Sequence, residues 1–95
     1  MRLIVSGVIF LALNNEHWRI LQAYIEKEVM PFECNKINKR YNISHIRYAA
    51  ESVLGFDITS GLMAQLLRQR GVPHKDIRGI THFAVSDEFF NEYVR

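Results

Sequence analysis

Apolar and polar positions follow one another in changing rhythms along this chain. Leu3 to Leu13 is almost wholly apolar, dense in Val, Ile and Phe, and broken only by Ser6-Gly7. That composition predicts one bent strand, or a small hairpin turning at Ser6-Gly7. The period then lengthens. Trp18, Leu21, Ile25 and Val29 recur near helical spacing, with Arg19, Glu26 and Lys27 off the line. A first helix is expected to about Met30, capped by Asn14 or Asn15 and stopped by Pro31. Residues 31–42 are polar and irregular, with room for a short strand. Ser44 is the expected cap of a second helix, about His45 to Leu54, with a stripe of Ile46, Ala49, Ala50, Val53 and Leu54. Its exposed side holds His45, Arg47 and Glu51, and Gly55 suits the left-handed position after its end.

A third helix is expected over about Thr59 to Arg70, with Asp57, Thr59 or Ser60 as cap and Gly71 and Pro73 as the stop. Steps of about 100° place Leu62, Met63, Leu66 and Leu67 on one side. Ser60, Gly61, Ala64, Gln65 and Arg68 fall on a continuous arc opposite. Val72 to Val85 reads as a hairpin in which Asp76-Ile77-Arg78-Gly79 forms a type I turn closed by a glycine bulge. In that register His74 faces Thr81. Ser86 then caps a short last helix, with Asp87 and Glu88 in its first turn and Phe89, Phe90, Tyr93 and Val94 on its apolar side. The fold class expected is α+β: an apolar N-terminal strand, three helices, a C-terminal hairpin and a short last helix.

Composition narrows the class. With 95 residues, 48% apolar and 12% aromatic, the chain is expected to form one globular domain over 1–95. A single cysteine, Cys34, excludes an internal disulfide framework, and a reducing cytoplasm is the simplest setting. Arg2 ahead of the apolar run resembles a secretory signal, but the small-residue cleavage pattern is missing. The run is also short of the roughly 20 apolar residues that a membrane-spanning helix needs, so no membrane partner is expected.

Net charge is only +2, yet it is unevenly placed. Residues 36–78 carry eight basic side chains (Lys36, Lys39, Arg40, Arg47, Arg68, Arg70, Lys75 and Arg78) against three acidic ones. Segregation of this kind favours a polyanion. A B-DNA major groove, about 12 Å wide, admits one helix, and Gln and Arg can each pair with a base through two hydrogen bonds. The third helix supplies Ser60, Gly61 and Ala64 for close approach, and Gln65 and Arg68 for base reading. Arg47, Lys36, Lys39 and Arg40 are the expected phosphate contacts, and Lys75 and Arg78 lie at or beside the hairpin tip.

The order helix, turn, helix, hairpin, and the stretch ITSGLMAQLLRQRGVPHKDIRGITHFAV, resemble the winged helix-turn-helix family over residues 44–86. The resemblance implies that Ser60 to Arg68 enter the major groove and that Asp76 to Gly79 form the wing tip. The function expected on this basis is sequence-specific binding of double-stranded DNA by a small transcriptional regulator, as a homodimer. The older alanine-to-glycine spacing of helix-turn-helix proteins is not kept before Gly55.

Other chemistry finds little footing. The spacings of His17, His45, His74 and His82 match no zinc pattern, and no metal or other cofactor is expected. No nucleophile elbow, phosphate loop or zinc-hydrolase motif occurs, so an enzyme is not expected. Asp87 and Glu88 read as first-turn carboxylates, and Tyr41 and Tyr48 as packing residues with wet tips. The strongly apolar ends, Met1 to Leu13 and Phe89 to Val94, carry the alternative: a small modulator or inhibitor that docks on a partner protein rather than on DNA.

Overall fold

The computed structural model describes residues 15–91. The apolar segment expected as an N-terminal strand, and Tyr93 and Val94, lie outside the described residues. Within them the chain is α+β, in the order α1 (Asn15–Tyr24), a π-helical turn (Ile25–Val29), a 3-10 turn (Met30–Phe32), α2 (Ile43–Leu54), α3 (Ser60–Gln69), β1 (His74–Ile77), β2 (Ile80–Phe83) and α4 (Asp87–Phe90).

The first helix is not a simple α-helix to Met30. Its inward line is Leu21, Ile25 and Val29, all 0% exposed. A repeat of four residues drifts about 40° per step on an ideal α-helix. The chain widens instead: the Met30 N–H donates to Ile25 O, an i to i+5 bond, and the line stays over the core. Pro31 does not end the coil at Met30; it sits inside the single 3-10 turn that follows.

Helix α2 starts earlier than expected, because Asn42 and not Ser44 is its cap. The Asn42 side chain accepts from the Ser44 N–H at 2.8 Å, and the Asn42 N–H donates to His45 Nδ1 at 3.1 Å. This is a reciprocal cap with histidine in the place usually taken by Glu or Gln. Ile43, Ile46, Ala49 and Ala50 are buried, but Val53 is half exposed and leaves the expected stripe. Gly55, in the left-handed region, ends the helix as anticipated. Thr59 caps α3 through the Leu62 N–H at 3.1 Å.

The hairpin is tighter than expected. Ile77 pairs with Ile80 and His74 with Phe83, so the loop is only Arg78-Gly79. Both have positive φ, 54° and 81°, which is a type I′ turn and not a type I turn with a bulge. His74 therefore faces Phe83 and not Thr81. The irregular stretch contributes one strand-like bridge, Glu33 to Val85.

The core is shared by the helices, the π-helical turn and β2, while β1 contributes no buried residue. Leu21, Ile25 and Val29 meet Ile46, Ala49 and Ala50 of α2, Met63, Leu66 and Leu67 of α3, Phe83 and Val85, and Phe89 and Phe90. The aromatic end is ordered: Tyr41 stacks on Phe90 with centroids 4.3 Å apart, and Phe89 meets Phe90 edge-on at 5.0 Å. No helix among the described residues is long and apolar enough to cross a membrane.

Asn38 fastens the irregular stretch to this frame. Its side-chain amide donates to Val85 O at 2.9 Å and to Asp87 Oδ1 at 2.8 Å. Its side-chain oxygen accepts the N–H groups of Arg40 at 2.9 Å and Tyr41 at 3.0 Å. Its own N–H donates to Phe83 O at 3.0 Å. Asn38→Ala strands two part-buried partners, Val85 O and the Tyr41 N–H, and removes two exposed bonds, each buried bond contributing about 0.5–1.5 kcal/mol net. The expected loss is about 2 kcal/mol, read as a lower urea midpoint with an unchanged m-value.

Candidate nucleic-acid interface

Helix α3 is anchored along one side and bare along the other. Leu62, Met63, Leu66 and Leu67 are buried, whereas Gly61, Gln65, Arg68 and Gln69 are exposed and Ser60 is half-buried. The exposed arc is narrower than the sequence pattern implied. Ala64 is only 5% exposed and belongs to the core side, so it is not available for close approach to a ligand. On steps of about 100°, Ala64 falls between Ser60 and Arg68, at the border of the two faces. A methyl group is acceptable on either, and packing decides. Gln69, next to Gln65 on the same wheel, takes its place on the outer face.

Gly61 stands on that face with ordinary helical backbone. A Cβ built there would meet nothing within 4 Å. Packing among the described residues therefore does not require glycine at this position, although glycine in a helix is up to about 1 kcal/mol less favourable than alanine.

The turn between α2 and α3 is closed by one carboxylate. Glu51 Oε2 accepts the Ile58 N–H at 2.7 Å, and Glu51 Oε1 pairs with Arg47 Nη1 at 2.6 Å. Arg47, expected as a phosphate contact, is half-buried and committed to this pair. At the far end of α3, Arg70 Nε donates to Glu26 Oε2 at 2.6 Å and ties the helix to the π-helical turn. Arg40 stands 3.6 Å from Asp87. Of the eight basic residues between 36 and 78, these three have carboxylate partners. Lys36, Lys39, Arg68, Lys75 and Arg78 are exposed and have none among the described residues.

These five free cations sit on separate elements. Arg68 belongs to α3, Lys75 and Arg78 to the hairpin, and Lys36 and Lys39 to the loop that Asn38 holds. That loop and residues 85–87 line an open cleft of about 500 Å³, in which Lys36, Lys39 and Arg40 come together. Each histidine has a structural contact. His17 stacks on Phe56 at 4.0 Å, His45 closes the α2 cap, His74 leans on Phe83 at 5.4 Å, and His82 Nδ1 lies 2.7 Å from Asn38 O. Asn38, which pattern reasoning passed over, holds the loop of Lys36 to Arg40, and Glu51, expected only as an exposed residue of the second helix, holds Arg47 and the entrance to α3.

No family model, curated protein or solved structure matches this chain. The site therefore stands on its own geometry.

Arg78 occupies the first central position of the type I′ turn, where Asn, Asp and Gly are the usual residues. A left-handed conformation costs an ordinary L-residue about 1–2 kcal/mol, and Asn tolerates it better. Arg78→Asn is expected to raise stability by up to about 1 kcal/mol, read as a higher melting temperature. An unchanged or lower value would show that the arginine side chain itself supports the turn.

Proposed function

We propose that this protein is a small, winged-helix-like regulator that binds double-stranded DNA, with α3 as the reading helix. The observation that carries the reading is the outer face of α3. It holds Gly61, Gln65, Arg68 and Gln69 toward solvent on a helix whose opposite side is locked into the core. Gln and Arg are the side chains suited to adenine and guanine edges. Gly61, which no contact among the described residues requires, lets another backbone come close. Arg68, Lys75 and Arg78 add positive charge with no carboxylate partner among the described residues. Two copies would place two reading helices on half-sites about one helical turn apart.

A second reading, a modulator that docks on a partner protein, is favoured by a different feature. Tyr48 and Val53 on α2 are 53% and 51% exposed. Such side chains suit an apolar partner surface better than a phosphate backbone.

Duplex binding measured against salt separates the two. A DNA reader loses affinity steeply as salt rises, because each phosphate contact releases a counterion. Arg68→Ala is then expected to cost about 1–3 kcal/mol on a selected site and less on random duplex. Absence of duplex binding at low salt would transfer the function to the protein-partner reading.

Gly61→Ala tests the close approach. Its methyl group meets open space among the described residues, so stability should hold or rise by up to about 1 kcal/mol. Duplex affinity should nevertheless fall. Equal affinity for both proteins would mean that no backbone comes near Gly61.

A further inference from the structure

The cleft beside Asn38 gathers cations on a fixed frame. Residues 34–40 are tied at both ends of the loop: Cys34 N–H donates to Ala84 O at 2.9 Å, and Asn38 N–H to Phe83 O at 3.0 Å. The Asn38 side chain closes the remaining gap to Val85 and Asp87. Lys36 and Lys39 flank that anchor in sequence, and both are exposed. Arg40 follows, with its guanidinium 3.6 Å from Asp87 Oδ2 and 71% exposed.

Asp87 is the one carboxylate in the lining among the described residues, and it is already engaged by Asn38 Nδ2 and Arg40. Three cations against this single acid leave an excess of two positive charges around about 500 Å³ of open space. Like charges that line one cleft repel one another, and an anion of matching charge relieves that repulsion. Arg supplies a planar fork and Lys two point charges, the donor set that suits a tetrahedral oxyanion.

We propose that this cleft binds a phosphate group, through the Lys36, Lys39 and Arg40 side chains. The role is separate from base reading by α3 and does not depend on it. The group can come from a nucleic-acid backbone or from a free phosphomonoester, since both present the same oxygens.

Inorganic phosphate is the first probe, added against sodium chloride of equal ionic strength. It is expected to shift the amide resonances of residues 34–40. Cys34 lines the same cleft, half-buried, with its thiol donating to Lys36 O at 3.3 Å. Alkylation of Cys34 by iodoacetamide should therefore slow with occupancy, about tenfold at roughly nine times the Kd by mass action.

The double variant Lys36→Gln/Lys39→Gln should lose the phosphate-induced shifts while keeping the wild-type unfolding midpoint. Arg68→Ala should keep them. Shifts that are absent at residues 34–40, or that persist undiminished in the double variant, overturn the proposal.

Two further arms identify the source. A duplex without terminal phosphates that moves the same amides makes the ligand a backbone diester. Adenosine monophosphate acting where the duplex does not makes it a monoester. Either result supports the site. Failure of every duplex to bind, with the inorganic phosphate response intact, removes the DNA reading and leaves this one standing.

Discussion

Residues 33–41 have little regular structure, yet they join the base of the hairpin, α4 and the start of α2. What holds them is the hydrogen-bonding capacity of Asn38. One side chain donates twice and accepts twice, and its backbone adds a bond to Phe83 and an acceptor for His82. Such a segment would otherwise pay its ordering entropy with few compensating contacts. The fixed loop sets Tyr41 against Phe90 and brings Asn42 to the start of α2. The cap of α2, the aromatic packing of α4 and the placing of Lys36 to Arg40 all descend from this one anchor.

The large elements were legible because period and burial agree. Trp18, Leu21, Ile25 and Val29 announce a helix, and Leu62, Met63, Leu66 and Leu67 another; the structure buries all of them except Trp18, which is partly buried. Gly55 and Gly71 mark helix ends through their left-handed backbone, as their positions implied. Local chemistry was less readable where two solutions lie close in energy. Asp76 and Gly79 suit a four-residue turn, and the tighter alternative puts Arg78 in a region that arginine disfavours. Propensity pointed one way; the pairing of β1 with β2 decided the other.

The candidate site was legible in composition and less so in geometry. Gln65, Arg68, Lys36, Lys39, Lys75 and Arg78 are exposed, as a contact surface needs. Ala64 is not, because a small apolar residue at the border of two faces carries no sign of which it joins. Arg47 and Arg70 are engaged by Glu51 and Glu26, partners 4 and 44 residues away. The first spacing can be read from the helix; the second needs the tertiary fold. Asn38 left no mark at all, since one polar residue in an irregular stretch has no period to break.

The carboxylate of Glu51 has a consequence for how any ligand meets α3. One oxygen grips Arg47 and the other holds the Ile58 amide at the threshold of the helix. Arg47 cannot swing toward a phosphate without competing for the group that braces this threshold. A ligand that recruited Arg47 would unsettle the orientation of the helix it was grasping. One that leaves Arg47 in place finds α3 already oriented, and spends none of its affinity on ordering it.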